Sequence, residues 1–188
     1  TKPIDFKDLA ATINKTALHA QAAKRSARWE AENALLRMYV NSGLVEHLLP
    51  MLKGDGVVPG ELADATVLFI VVPLDRWNEQ TAAGVDAESL LRPLDQAYAS
   101  IIPELKSRQG LIDKFVSNAA LCVFRDSGHA RRALEAALAC RSRLIEKRQP
   151  GVAIGLTSGP VLFGSVGSLA HGRVDYTSIG DVVNCAIS

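Results

Sequence analysis

The sequence predicts an α+β fold, a ferredoxin-like β-α-β-β-α-β sandwich with one added strand, preceded by a long N-terminal helix. Three observations carry that reading. Thr66 to Pro73 is a continuous apolar run of strand length, rich in β-branched residues, which suits a strand covered on both faces. Two later segments, around Ala97 and around Ala137, repeat apolar residues at the spacing of one helix face. On either side of the second segment stand pairs of short apolar runs, each pair separated by turn residues.

Along the chain, the first forty residues differ from the rest. From Phe6 to Val40 there is neither Gly nor Pro and alanine is frequent, so one helix of roughly 50 Å is expected, at about 1.5 Å per residue. Phe6, Leu9, Ile13, Ala20, Ala23, Ala27, Ala34 and Met38 approximate a heptad seam of mostly small residues, as a close-packed two-helix contact needs. The same stripe also suits a helix laid on its own domain, but a helix this long has little small-domain surface to cover. Asn41-Ser42-Gly43 ends it, a short amphipathic helix over Leu44 to Leu52 follows, and Gly54, Gly56, Pro59 and Gly60 make a loop. The expected organisation is a signalling or coiled-coil helix over 1–40, a connector over 41–62 and a globular domain over 63–188.

In that domain Thr66 to Pro73 is the first strand. Leu94, Ala97, Tyr98, Ile101 and Leu105 mark one face of a helix, with Pro93 near its start and Pro103 as a kink. Ile112 to Val116 and Ala119 to Phe124 flank Ser117-Asn118, a two-residue turn in which Asn can take positive φ. Ala133, Ala137, Cys140 and Leu144 lie on one face of a second helix. Gly151 to Ser158 and Val161 to Ser165 are expected to form a hairpin around Gly159-Pro160. Asp181 is the expected N-cap of a last helix beginning at Val182.

Composition narrows the class. With 48% of 188 residues apolar, the chain can bury one good core and is not of disordered composition. A formal net charge of +1 gives no general attraction to nucleic acid or to an anionic membrane surface, and no nucleic-acid partner is expected. Cys122, Cys140 and Cys185 are odd in number and widely spaced, which reads as reduced thiols in a cytoplasmic protein rather than a disulfide frame or a zinc site. The longest apolar run, Val67 to Leu74, is far short of the roughly 20 residues of a membrane helix, and no signal peptide precedes it. Opening on Thr1 rather than Met, the sequence reads as a piece of something longer. His19, His47, His129 and His171 show no metal-ligand spacing and are expected at surface or loop positions. Ser158, Ser165 and Ser168 are expected in Gly-bounded turns, and no hydrolase elbow, Walker loop or dinucleotide fingerprint occurs.

Four segments, LFIVVPLDRW, KFVSNAALCVF, IGLTSGPVLFGSVGS and YTSIGDVVNCAIS, occur in order and at spacings that resemble the class III nucleotidyl cyclases. That family shows a strand ending F-x-D with a Gly-rich bend, then K-F-x-G-D at a hairpin turn, then G-x-x-x-G strand pairs and Y-T-x-I-G-D-x-V-N-x-A-x-R. The resemblance covers about Leu44 to Ser188. It implies a dimer, homodimeric or heterodimeric with another cyclase domain, whose active sites are built from both chains. It also implies conversion of ATP or GTP to a cyclic 3′,5′-monophosphate and pyrophosphate.

Such a reaction uses two divalent metals, and hard Mg²⁺-like ions require carboxylate oxygens. Aligned on Phe69, the first family aspartate falls at Val71. Aligned on Lys114 and Phe115, the family Gly-Asp falls at Ser117-Asn118. The Gly-rich bend is replaced by Val72-Pro73-Leu74-Asp75, in which Pro73 lacks a donor. Asp75 lies four residues beyond the required place, and strict alternation sends Asp113 to the side of Phe115 rather than of Lys114, so neither is expected to stand in. Other positions are kept. By resemblance Lys114 and Thr177 are the purine-reading pair, a combination that favours adenine, and Asn184 orients the ribose with Asp181 capping its helix. The transition-state arginine falls at Ser188, and losing such a stabiliser typically costs about 10²-fold or more.

The expectation is therefore a pseudocyclase acting as a dimerisation or regulatory module. No cofactor is expected, and ATP binding should be weak. Two alternatives make it an active adenylate cyclase, as half of a heterodimer or as a homodimer with unusual metal binding. In these alone Mg or Mn would enter.

Overall fold

The computed structural model describes residues 23–31, 33, 58–74, 83–147 and 151–188. The chain divides into two compact units, Thr1–Ser42 and Gly43–Ser188. In the first unit residues 23–31 are helical and exposed, with Ser26 Oγ donating to Glu30 Oε1 one turn on at 3.1 Å. Ala23 and Ala27 of the expected seam fall on this helix. The other seam positions, the helix expected over Leu44 to Leu52, and Asp75 lie outside the described residues.

The second unit runs β1 (Glu61–Val71), α1 (Ala87–Ser107), β2 (Leu111–Val116), β3 (Ala119–Phe124), α2 (His129–Glu146), β4 (Ala153–Ser168), a 3-10 turn (Leu169–His171), β5 (Arg173–Ile179) and α3 (Asp181–Ile187). The strands form one antiparallel sheet in the order β2-β3-β1-β4-β5. Its first four members have the ferredoxin-type order that the sequence predicts, and β5 is the added strand.

Because β1 is central, its alternate residues feed two apolar clusters. Leu68, Ile70 and Val72 point to α1 and α2, where they meet Leu94, Ala97, Ile101, Leu105, Ala133, Ala137, Cys140 and Leu144. These are the helix faces read from spacing. Ala65, Val67 and Phe69 point to the other face, where Val182, Val183 and Ala186 of α3 cover them together with Leu121, Val161 and Phe163. Asp86 caps α1 by accepting from Ser89 N at 2.9 Å, and the helix runs on through both Pro93 and Pro103. All three cysteines are free thiols. Cys122 and Cys140 are buried, and burial pushes Cys140 up to about 12.

The expected hairpin at Gly159-Pro160 does not form. β4 is a single 16-residue strand in which Gly159 faces Ala65 and Pro160 faces Asp64. Pro160 is tolerated because β5 pairing starts only at Leu162, so β4 carries one ladder at that point. The second hairpin is instead β4–β5, closed by the 3-10 turn and Gly172. Ser158, Ser165 and Ser168 are therefore strand residues, not turn residues. At the β2–β3 turn it is Ser117 that takes positive φ, at 55°, not Asn118. Gly180, not Asp181, occupies the cap position of α3 and Asp181 is its first residue, without a capping side-chain bond.

Candidate functional site

The cyclase-like positions lie around the α3-covered face of the sheet. Lys114 is on β2 and Thr177 on β5, the two outer strands, yet Lys114 Nζ donates to Thr177 Oγ1 at 2.5 Å. The length of β4 makes this possible. Residues 153–163 of it pair with β1 and residues 162–168 carry β5 beyond the β1 end, so the twisted sheet brings its two edges together. Thr177 thus sits on a strand. Its signal was the alternation of Val174 and Tyr176 with polar neighbours.

A β-bulge corrects the reading of Asp113. Ile112 pairs with Cys122 and Lys114 with Leu121, so Asp113 is an extra residue on β2 and the strict alternation fails there. Its carboxylate lies beside Lys114, with Oδ2 3.7 Å from Nζ, and its side chain is only 4% exposed. Ser178, next to Thr177, is the neighbour whose backbone N–H and hydroxyl favour the charged carboxylate. Oδ2 itself has no hydrogen bond, since 3.7 Å is an ion-pair distance and too long for one. Burial pushes the Asp113 carboxyl above its ordinary range, outweighing the Lys114 charge and the Ser178 bonds that pull it down.

The positions aligned with the family's metal ligands are built differently. Val71 ends β1 and packs against the α3-side apolar cluster. Asn118 clasps the next residue twice: its Nδ2 donates to Val72 O at 2.6 Å, and its own carbonyl accepts from Val72 N at 2.9 Å. It is a turn fastener, as its residue type suggested. A hydrocarbon side chain and an amide held this way do not fit a pair of hard divalent ions, which want carboxylate oxygens. Asp113 cannot take their place, being enclosed with Lys114. Among the described residues no group of three or more His, Cys, Asp or Glu is gathered.

Asn184 and Ser188 lie on and at the end of α3, both exposed. The Asn184 carbonyl accepts from Ser188 N at 3.2 Å and Oγ at 2.9 Å. The structure places Asn184 on the helix over the same face but joins it to neither Lys114 nor Thr177 by a hydrogen bond. Its holder is the helix itself, through Asn184 N to Gly180 O at 3.4 Å, rather than a cap by Asp181.

His129 is not the plain surface residue expected. It opens α2, and its Nδ1 lies 2.7 Å from Thr66 Oγ1, which lies 2.6 Å from Ser158 Oγ. This chain fastens α2 to β1 and β4 on the opposite face from Lys114. His171 bonds Ser168 at 2.8 Å at an exposed site, and His19 and His47 lie outside the described residues. No helix among the described residues is long and apolar enough to cross a membrane.

The domain carries the class III cyclase catalytic-domain fold. The adenylyl cyclase CyaB from P. aeruginosa superposes with a TM-score of 0.58 at 24% identity, over 69% of this chain and 71% of that one. A bacterial light-regulated adenylyl cyclase gives 0.69 at 18% identity, over 99% of this chain and 53% of the other. A solved guanylyl cyclase gives 0.57 at 23% identity, over 68% and 69%. In sequence the chain is similar to two uncharacterized proteins of Mycobacterium tuberculosis, at 30% identity over 132 residues and 32% over 130. These alignments take in 68% and 66% of this chain but only 24% and 22% of those proteins, so the chain spans about a quarter of the length of the relatives it matches. No protein-family model matches the sequence.

Proposed function

We propose that this chain is a pseudocyclase, a cyclase-fold module that keeps the purine side of a nucleotide site, lacks the metal side, and acts by pairing with a second cyclase domain. One observation carries the proposal. The residue at the second metal position, Asn118, is fastened to Val72, and the residue at the first, Val71, packs into an apolar cluster. A triphosphate there meets neither carboxylate-held cations nor an arginine, so the charge of a transferring phosphoryl group goes unbalanced.

The purine side favours binding. Lys114 and Thr177 stand in contact, and a lysine ammonium has three donors, of which Thr177 takes one. Adenosine contacts should persist while phosphate contacts add little, giving a Kd on the order of 0.1 to 1 mM, indifferent to Mg²⁺. The assembled Lys114–Thr177 pair also supports a second reading, that the chain supplies base contacts within a heterodimer whose partner holds the metals. Residues 1–40 would then join or align the two chains through their small-residue seam.

The test is incubation of the protein with ATP or GTP and excess Mn²⁺, alone and mixed with a metal-competent cyclase domain. Background levels of cyclic product from the protein alone are expected. Turnover by the protein alone that is lost in Lys114→Ala would overturn the pseudocyclase reading and make the chain a homodimeric cyclase with unusual metal binding. Product only in the mixture would select the heterodimer.

A further inference from the structure

The bulge at Asp113 places a carboxylate where neither strand alternation nor the metal positions call for one. That carboxylate is nearly enclosed and keeps one oxygen without a hydrogen bond 3.7 Å from the Lys114 ammonium. On its other side Lys114 donates to Thr177, the residue next to Ser178. Lys114 of β2 thus engages Thr177 of β5, with its neighbour Asp113 at ion-pair distance behind it. A flexible lysine on a four-carbon stem has no preferred end point by itself, and a fixed anion within ion-pair distance supplies one. An enclosed carboxylate without its full set of hydrogen bonds is costly to keep, so its retention here asks for a role.

We propose that Asp113 is a positioning residue: it sets the Lys114 ammonium against Thr177, so that a free N–H of Lys114 and the hydroxyl of Thr177 face outward together as a pre-formed edge for a purine base. The Thr177 hydroxyl accepts from Lys114, which leaves its own proton free to donate and a second lone pair free to accept. An edge with one fixed donor and one group able to donate or accept suits a base presenting a ring nitrogen beside an exocyclic amine. Without the Asp113 charge the ammonium spreads over its rotamers, and each bound base must first order it. Asp113 touches no ligand in this arrangement and acts only through Lys114.

The inference rests on the retained purine side proposed above, and the experiment separates the two. Adenosine binding is measured by calorimetry for the whole chain as wild type, Asp113→Asn, Lys114→Ala and the double variant, with thermal unfolding followed in parallel. Asp113→Asn keeps the size and an acceptor for Ser178 but not the charge. A loss of about tenfold in affinity on Asp113→Asn, absent in the Lys114→Ala background, is the expected coupling. An equal loss in both backgrounds would show a merely structural residue and overturn the proposal.

A second readout needs no ligand. Acetylation of Lys114 by an N-hydroxysuccinimide ester, mapped by mass spectrometry, should be about threefold or more faster in Asp113→Asn than in wild type, because the charge-assisted tether is gone. Ser178→Ala, which removes a hydroxyl that favours the charged carboxylate, should move the label in the same direction. If wild type binds no adenosine, the purine-side reading fails and the labelling alone decides. Unchanged Lys114 labelling in both variants would then overturn the role of Asp113.

Discussion

The two faces of the sheet are built for different ends. Under α1 and α2, Leu68 and Ile70 of β1 and the following Val72 join a large cluster whose members are almost all fully enclosed. Under α3 the cluster is smaller, is covered by a seven-residue helix, and gives way at its margins to Lys114, Asp113, Tyr176 and Thr177. The first face contributes most to stability. The second holds every position that resembles a nucleotide site, and within it the two halves differ again. Asn118, aligned with a family metal ligand, bonds to the neighbouring backbone, whereas Lys114 and Thr177, aligned with the family purine positions, bond to each other. Because packing and the aligned site positions rest on opposite faces, a change at one need not disturb the other.

The sharpest way to break the comparison is to damage the first face. Ile101→Ala removes a fully enclosed side chain from α1 and should cost about 2 to 5 kcal/mol, read from the urea midpoint. Adenosine affinity of the protein still folded should not change. A smaller effect is expected on the second face from Gly155→Ala. A Cβ at Gly155 would stand 1.9 Å from the Ala186 carbonyl oxygen, so α3 must shift, at about 1 to 3 kcal/mol. Hydrogen exchange over 181–187 should accelerate, since this glycine is what lets α3 lie on β4. Normal protection of α3 in that variant would mean that the helix is held elsewhere.

Thr177→Val and Asn118→Ala then compare the two ends of the site. Each removes a partner from one hydrogen bond and should lower stability by about 0.5 to 1.5 kcal/mol. Only Thr177→Val should weaken adenosine binding, by up to about tenfold. Equal binding losses from both variants would dissolve the distinction between a purine end and a structural end.

The elements on the first face were legible because period and burial agree there. Leu94 to Leu105 and Ala133 to Leu144 show one buried stripe each, and Thr66 to Val72 has no polar side but Thr66. On the second face local signals and tertiary context part company. Gly159-Pro160 carries strong turn chemistry, yet pairing with β1 keeps it extended. β5 is short and polar, and it pairs only because β4 runs past β1 to meet it. The Lys114–Thr177 pairing was legible only by resemblance, since nothing local tells that two outer strands meet. Asp113 was misread for one reason: a bulge leaves no mark in the residue alternation that it interrupts.

The smallest expected effect concerns that carboxylate, and its sign decides whether enclosure or pairing governs it. Asp113 lies beside Lys114 on its own strand, within electrostatic range of Tyr176 from β5 and of Cys122 from β3, and of these only Lys114 favours its charge. Burial raises its folded-state pKa above the ordinary 3.8 despite Lys114. The folded protein then binds this proton more tightly than the unfolded chain, so its contribution to stability is full below 3.8 and is lost as pH rises through the folded-state value. Glu104, which Arg143 and Arg108 hold below its usual range, acts in the opposite sense, so raw pH profiles of the wild type mix the two. Subtracting the profile of Asp113→Asn leaves the Asp113 contribution alone. Melting temperatures of both proteins across the acidic range should give a difference that falls with rising pH and is then flat. A difference that climbs instead would mean that the pull of Lys114 exceeds the cost of enclosure.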